Sequence, residues 1–327
     1  MLINKLFPVL LLMAGVLAGC ETDVNLPEPE HTPRIALRYL LSDVAPAQQS
    51  EAMQAFNQLY VSHSQRMFDA RQLQGRSDAT VEILDANGTV VERFRQATNK
   101  QWQTYPRPRY EPGYYEPTMN FAAQPGQTYT LRGRLPGFET VESQLTLPAR
   151  PQIERATYTQ RPPGDYGQPR GRLSLVLTDP AATADYYVVI GKLYDTQGRL
   201  YGDLMTEDTN TEFGNVGETF ALSSLYNDYY SSLAPYPDTN VNGRQFTLSS
   251  NVVSSNSYGG SNVPVPAYLE LQVLNLTADA YKFYQSRQRY QDTEDNPFAE
   301  PAPLYSNIRN GYGFFGGMSG TIYRIQL

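Results

Sequence analysis

The sequence is poor in the residues on which most enzymes and metal proteins depend. It has 1 cysteine and 2 histidines among its 327 residues. It contains no Gly-x-Ser-x-Gly, no Walker-type phosphate loop and no His-Glu-x-x-His. His31 and His63 do not fall in a pattern that supports a Ser-His-Asp triad or a histidine-rich zinc site. We therefore predict a protein without enzymatic activity and without a metal or other cofactor.

Charged residues are also scarce. They make up 18% of the chain, and the formal net charge is −7. A nucleic-acid-binding protein would present a basic face, so we predict no nucleic-acid partner. Beyond residue 20, no apolar run approaches the ~20 residues that a membrane-spanning helix needs.

Tyrosine, glycine and proline are abundant instead. The chain has 25 tyrosines, 24 glycines and 24 prolines. Aromatic residues favour strands, while Gly and Pro mark turns, so this composition predicts an all-β protein with long loops. Tyrosine can cover a surface and still offer a hydroxyl, which makes tyrosine-rich loops candidates for contact surfaces.

The N-terminus carries an export signal. Lys5 is followed by an apolar run over 6–16, which is about half the ~20 residues of a membrane span. The run leads into Leu-Ala-Gly-Cys, which ends at Cys20. This stretch resembles the lipobox of bacterial lipoproteins, in which the signal is cut before the cysteine and the new N-terminus is acylated. The resemblance implies a signal peptide over 1–19 and lipidation of Cys20; an ordinary secretory signal with a chance cysteine is the alternative.

Residues 20–33 are predicted to form a tether. The segment is acidic and rich in proline, a composition that keeps a chain extended or disordered. Acidic residues directly after an acylated cysteine resemble the surface-export signal of Bacteroidota lipoproteins, although a solvated linker has the same composition. The resemblance implies a protein that is lipid-anchored in the outer membrane and faces the cell exterior.

A first β unit is predicted over 34–148. Its ambiguous stretch is interpreted as a short helix over 48–57 and a strand over 58–65. Asn-Gly at 87–88, between two alternating runs, is the strongest short-range signal of a β-hairpin. A turn, then Thr-Tyr-Thr-Leu and Pro-Gly-Phe, over 125–138 resembles the immunoglobulin-like (Ig-like) modules of bacterial surface proteins. That resemblance implies a β-sandwich and no particular activity.

A second, β-rich unit is predicted over 172–327, after a linker over 149–171. The linker contains several prolines and no periodic spacing of apolar residues that would form a core. Alternation over 268–274 predicts the clearest strand, and helical spacing over 277–291, with Thr277 as N-cap, predicts the one clear helix. The expected fold is thus all-β, with two Ig-like β-sandwich units, one C-terminal helix and long Tyr/Gly/Pro-rich loops.

The C-terminal segment gives the most specific resemblance. It holds Asn-Pro-Phe at 296–298, Ser-Asn-Ile at 306–308 and Gly-Tyr-Gly-Phe-Phe-Gly at 311–316. Together with the lipobox and the Ig-like half, this order of features resembles a family of Bacteroidota outer-membrane lipoproteins, the domain-of-unknown-function family numbered 4249. The resemblance implies a TonB-dependent outer-membrane transporter as partner, with this protein as an accessory or lid in substrate capture. It supplies no catalytic residues.

The residues of this segment predict a structural motif. The Asn307 side chain can satisfy loop amides and carbonyls, while Gly311 and Gly313 permit positive φ or a close approach of the backbone. We expect Phe314 and Phe315 to pack into the core, with a ligand loop as the alternative.

A set of loop tyrosines is the candidate contact surface for a ligand or partner. Tyrosine with Ser, Gly and Asn is the composition of adaptable binding surfaces, although such rings also cover the edges of their own sheets. The set comprises Tyr114, Tyr115, Tyr226, Tyr229, Tyr230 and Tyr236.

Two other functions stay open beside the non-enzymatic transporter accessory. A free-standing adhesin or structural surface module would have the same fold without a stable barrel partner. A hydrolase would need a pair of carboxylates ~5–10 Å apart in a cleft. Acidic residues over 292–296 offer oxygen ligands, but the glycine and distant glutamate of a calcium-binding EF-hand are missing, so no metal site is predicted.

Overall fold

A computed structural model describes residues 30–66, 69, 71, 73–98, 108–164, 167–207, 220–225, 233–256, 266–294 and 302–327. The chain divides into two compact units. The first comprises 1–32 and 65–71, and its described part contains an ion pair between Arg71 Nη2 and Asp69 Oδ2 at 2.6 Å. The second comprises 33–64 and 72–327 and holds every element described below.

The second unit is mostly β-structure, with one long helix near the C-terminus. Its strands are β1 (Ile35–Ser42), β2 (Leu59–His63), β3 (Thr80–Leu84), β4 (Val90–Gln96), β5 (Tyr114–Pro117), β6 (Thr128–Arg134), β7 (Val141–Thr146), β8 (Gln152–Arg161), β9 (Arg170–Thr178), β10 (Tyr186–Tyr194), β11 (Leu200–Thr206), β12 (Tyr236–Pro237), β13 (Gln245–Ser254), β14 (Tyr268–Leu276) and β15 (Tyr312–Gln326). Its helices are a 3-10 turn (Pro46–Gln48), α1 (Glu51–Asn57) and α2 (Ala278–Glu294). Neither α-helix has the length and apolar character that crossing a membrane requires.

The strands follow one hydrogen-bonded path. Their order is β7-β6-β3-β4-β5-β2-β1-β15-β14-β10-β11-β13-β9-β8, and β12 pairs with β10. The first and last strands lie side by side and parallel, with Ala36 opposite Tyr312 and Ser42 opposite Met318. The far end of β15 pairs antiparallel with β14, so one 15-residue strand joins the N-terminal strands to the C-terminal ones.

Three cores lie against this path. The first contains residues between Ile35 and Leu147, together with Ile308 and Phe315. The second contains residues between Ala156 and Val273. The third lies under α1 and α2 and takes side chains from β1, β10, β14 and β15. Central strands with both faces buried need apolar residues at consecutive positions, and β1 has them at 39–41 and β10 at 187–190.

The described elements match several predicted ones. The ambiguous stretch forms α1 and then β2, and the Asn-Gly turn joins β3 to β4. Helix α2 begins directly after Thr277, whose Oγ1 accepts a 3.4 Å hydrogen bond from Ala280 N–H. Ser50 caps α1 in the same way, since its Oγ accepts from Met53 N–H.

The segment 149–171, predicted as a linker, contains a strand. It contains β8, which pairs antiparallel with β9, and β9 itself begins at Arg170. The alternation of β8 is hard to see because its register shifts between Ile153 and Arg155, and among its residues only Ala156 is fully buried. An edge strand of this kind packs against one neighbour and therefore carries a weak hydrophobic period.

Candidate functional site

The C-terminal motif joins two cores. Phe314 and Phe315 are adjacent on β15 and are 1% and 0% exposed. Because successive side chains of a strand point to opposite faces, Phe314 stacks on Phe283 of α2 and Phe315 on Tyr39 of β1. The centroid distances are 3.8 Å and 6.3 Å.

The Asn307 side chain completes this junction. Its Oδ1 accepts from Phe315 N–H at 2.9 Å, while its Nδ2 donates to the Phe315 carbonyl at 2.9 Å and to Asp279 Oδ2 at 3.0 Å. The side-chain amide thus forms with Phe315 the two hydrogen bonds that the backbone of a neighbouring strand would form. Tyr305 Oη donates to Asp279 Oδ1 at 2.6 Å, and burial together with this hydrogen bond raises the pKa of Tyr305 to about 12.

The glycines of the motif permit the close pairing of β15 with β1. Gly313 has a φ of +99°, and a Cβ there would lie 1.9 Å from the Leu37 carbonyl oxygen. A Cβ on Gly311 would lie 2.6 Å from the Ile35 carbonyl oxygen. Only glycine fits these two positions without moving β1.

Two of the candidate contact tyrosines belong to the core. Tyr236 is 8% exposed and stacks on Phe246, with ring centroids 5.8 Å apart. Tyr115 is 1% exposed; its hydroxyl donates to the Arg76 carbonyl and accepts from Ala79 N–H. Both rings are buried because each lies on a short strand whose inward positions take large apolar groups.

Of the remaining predicted site residues, Tyr114 is the one that the structure describes. Tyr114 is half-buried, and its hydroxyl accepts a 3.0 Å hydrogen bond from Arg109 Nη1. Cys20, Tyr226, Tyr229 and Tyr230 lie outside the described residues.

An aspartate cluster, formed by Asp179, Asp185 and Asp238, lies where β9, β10 and β12 meet. One carboxylate oxygen from each residue falls within 4.8 Å of the other two, and all three residues are at least 95% buried. Burial and the charges of Asp179 and Asp185 raise the pKa of Asp238 above its usual range. By spacing alone, these oxygens could hold a divalent cation.

The protein itself supplies hydrogen-bond donors to this cluster. Both oxygens of Asp179 accept, from Tyr187 Oη at 2.7 Å and from Gly243 N–H at 2.8 Å. Both oxygens of Asp185 accept as well, from Thr183 Oγ1 at 2.6 Å and from Asn275 Nδ2. Asp238 Oδ2 accepts from the Asp185 N–H at 2.9 Å. This pattern is that of a structural junction between strands.

A cavity of about 270 Å³ opens beside α1 and β5. We call it the amide cavity, because carboxamide side chains recur in its wall beside prolines and two tyrosines. The residues that line it include Tyr39, Gln49, Gln54, Asn57, Gln58 and Asn120.

A chain of amides leads into the wall of the cavity. The Val44 carbonyl can only accept, so Gln49 presents Nε2 to it, at 2.7 Å. Gln49 Oε1 then accepts from Asn57 Nδ2 at 3.1 Å. This order leaves Asn57 Oδ1 as the last group, and it has no hydrogen-bond partner although Asn57 is 94% buried. The protein encloses this atom, so a group in the cavity cannot reach it, and among the described residues His63 Nδ1 and Gln96 Oε1 are unpaired in the same way.

The Tyr39 hydroxyl is also unpaired. Tyr39 lines the cavity and is 92% buried, and its ring packs edge-on against Phe94 at 4.9 Å. The described residues offer its hydroxyl no hydrogen bond. Burial, followed by the charge of Glu92, raises the pKa of Tyr39 far above its usual range, so the hydroxyl keeps its proton.

Buried side chains fix the loops that form the cavity rim. Glu92 is 2% exposed, and its carboxylate accepts from the N–H groups of Thr118, Met119 and Phe121 at 2.7–2.9 Å. Gln58 holds the other side, because its amide pairs with both the N–H and the carbonyl of Arg109. The rim is therefore held in place by the protein itself.

Sequence reasoning missed the aspartate cluster and the cavity residues. One signal was present: Glu92 occupies an inward position in the alternating strand β4, where a charged residue is unusual. Asn57 and Tyr39 carried no comparable signal, because an asparagine at a helix end and a tyrosine in a strand are both ordinary.

Comparison with known proteins gives one family. The family model described as Domain of unknown function (DUF4249) matches residues 54–324, which is most of the chain. A search of curated protein sequences with this chain found no match.

Proposed function

The chain belongs to the DUF4249 family, and from this premise we propose that it is a surface-exposed outer-membrane lipoprotein that acts by binding and not by catalysis. The observation that carries the proposal is the Leu-Ala-Gly-Cys motif ending at Cys20, behind a basic residue and a short apolar run. Several acyl chains on one cysteine would anchor the protein firmly, since each buried methylene contributes about 0.8 kcal/mol.

The anchor is tested with a Cys20→Ser variant. Labelled palmitate is expected to enter the wild-type protein and not the variant. The wild-type protein should fractionate with outer membranes, and external protease should remove it from intact cells. Equal labelling of both proteins would contradict the lipidation step, while protection from protease would contradict surface exposure.

The proposed partner is a TonB-dependent outer-membrane transporter, for which the protein serves as an accessory or lid in substrate capture. The family resemblance supports this partner. Affinity purification of the native lipoprotein from detergent-solubilised membranes should recover a β-barrel protein in a stable complex. Repeated recovery without a barrel would favour the alternative, a free-standing adhesin or structural surface module.

The loop tyrosines give the partner proposal a finer test. Double replacement of Tyr229 and Tyr230 by alanine should weaken barrel recovery with little change in melting temperature. Tyr236→Ala is the control for a core ring of the same type, and it should lower stability by about 3–5 kcal/mol. A similar loss of stability in the double variant would remove Tyr229 and Tyr230 from the proposed contact surface.

We also propose that 34–148 and 172–327 are each an Ig-like β-sandwich. The first core takes most of its residues from 34–148, and the second takes all of its residues from Ala156 onward, which supports this division. Native-state hydrogen exchange should then show two cooperative units of different stability. A single unit of uniform protection across both segments would contradict it.

A hydrolase is the least supported function. The aspartate cluster brings carboxylates together, but each accepts hydrogen bonds from its own strands and turns. Such bonding holds the carboxylates away from a substrate, and we assign the cluster a structural role.

A further inference from the structure

We propose that the amide cavity binds one uncharged, hydroxyl-bearing group, such as a single sugar ring at the end or in the course of a glycan. The inference adds a ligand class to the proposed role in substrate capture. Its test uses neither the lipid anchor nor the transporter, so either proposal can fail alone.

The first argument is the unpaired Tyr39 hydroxyl in the cavity wall, which can both donate and accept. The wall also holds the neutral carboxamides of Gln54 and Asn120. A hydroxyl-bearing ligand suits the Tyr39 hydroxyl, because each hydroxyl of the ligand is donor and acceptor at once. An apolar ligand would leave the Tyr39 hydroxyl unpaired.

The second argument is the lack of unpaired charge in the described wall. Two charged residues line the cavity, Arg109 and Glu116. Glu116 binds Arg95 at 2.8 Å, and the Arg109 guanidinium lies 5.5 Å from the ring centre of Tyr114. An anionic or cationic ligand would have to displace these contacts, whereas a neutral one would not.

The third argument is size. Small-molecule pockets measure about 300–1,000 Å³, and this cavity of about 270 Å³ is at the lower limit. It therefore accommodates one ring-sized group and not a long segment of chain. Prolines at 46, 108 and 117 and the Tyr115 ring supply apolar surface for the faces of such a ring.

The experiment uses the chain from residue 21 onward, purified without its acyl group. It is applied to an array of neutral hexose and N-acetylhexosamine oligosaccharides, uronic-acid oligosaccharides and alanine-rich peptides. We expect binding to members of the neutral group only. Binding to none of the neutral glycans, or preference for the acidic glycans or the peptides, would overturn the proposal.

Tyr39→Phe locates the binding site. This change removes a hydroxyl without a protein partner, so the melting temperature should stay unchanged while affinity for the best neutral glycan falls about five- to tenfold. Tyr129→Phe is the matched control, because the buried Tyr129 hydroxyl accepts from Gln124 N–H outside the cavity. It should lower the melting temperature and leave affinity unchanged. Equal affinity of Tyr39→Phe and wild type would overturn the assignment of the cavity.

Discussion

The aspartate cluster and the amide cavity are both polar and buried, yet they differ in how their hydrogen bonds are completed. In the cluster, both oxygens of Asp179 and of Asp185 accept from donors of the chain. In the cavity, Asn57 Oδ1 and the Tyr39 hydroxyl have no such partner. Burial of polar groups therefore does not mark a binding site by itself. The useful mark is an unpaired group that a ligand can also reach.

Asn307 and Asn57 differ in the same way, although their side chains are chemically identical. Asn307 uses its oxygen and its nitrogen, binding Phe315 through both and Asp279 through the nitrogen. Asn57 uses only its nitrogen, toward Gln49. Because the first amide is fully paired and the second only partly paired, equal truncations should have unequal effects on the stability of the protein.

The largest effect is expected from Asp185→Ala. This change removes the acceptor of Thr183 Oγ1 and one of the two acceptors of Asn275 Nδ2, the other being the Ala149 carbonyl. It also leaves a space at a position that is 1% exposed, so we expect the free energy of unfolding to fall by about 3–5 kcal/mol. Chemical denaturation measures it. Asp185→Asn keeps one acceptor oxygen and should lose less.

A calcium titration checks the structural interpretation of the cluster. If the cluster is a junction between strands, added calcium should not raise the melting temperature of the wild-type protein. A rise in wild type that disappears in Asp185→Ala would make the cluster a cation site and end the comparison drawn here.

Asn307→Ala should be the next largest loss. Truncation removes the partners of the Phe315 N–H and carbonyl, and Phe315 is 0% exposed, so we expect about 2–3 kcal/mol. Asn310→Gly is a suitable control because Asn310 is exposed and its φ of 61° suits glycine. The control should change stability by less than about 0.5 kcal/mol. Equal effects would mean that Asn307 does not secure the junction.

Asp238 gives the cluster a pH dependence. Its pKa is raised in the folded state, first by burial and then by Asp179 and Asp185. Between the unfolded and folded pKa values the folded protein binds more protons, so this residue lowers the free energy of unfolding as pH rises through that interval. Asp238→Asn has no titratable group at this position, and its side-chain oxygen can still accept the hydrogen bond from Asp185 N–H.

The measurement for Asp238 is the stability of Asp238→Asn relative to wild type at pH 3.5, 5 and 7. The variant should gain on wild type as pH rises. A relative loss with rising pH would show that the Asp238 carboxylate is stabilised, and hence that a cation or another charge offsets its neighbours.

Local patterns in the sequence predicted much of the second unit. Alternation over 268–274 and the Thr277 cap predicted β14 and α2, and the Asn-Gly turn predicted the β3–β4 hairpin. Each of these signals acts over a few residues, where turn chemistry and side-chain period decide the structure. The strand β8 was lost because a register shift and an exposed edge blurred its period.

Long-range features were beyond reach from the sequence. The parallel pairing of β1 with β15 joins residues at opposite ends of the unit, and nothing in the sequence of either strand identifies the other as its partner. The amide cavity depends on the same kind of information, because Asn57, Gln58 and Asn120 meet only through tertiary packing. The glycines of the C-terminal segment were recognised as permissive, while the atoms they approach, the Leu37 and Ile35 carbonyls, were not.

Asn57→Ala should have the smallest effect on the free protein. Truncation removes the hydrogen bond to Gln49, which contributes about 1 kcal/mol, but it also removes a buried acceptor whose lack of a partner costs about 1–3 kcal/mol. The two terms oppose each other, so we expect the free energy of unfolding to stay within about 1 kcal/mol of wild type, against the larger loss for Asn307→Ala. A loss of 3 kcal/mol or more would mean that Asn57 is as fully engaged as Asn307.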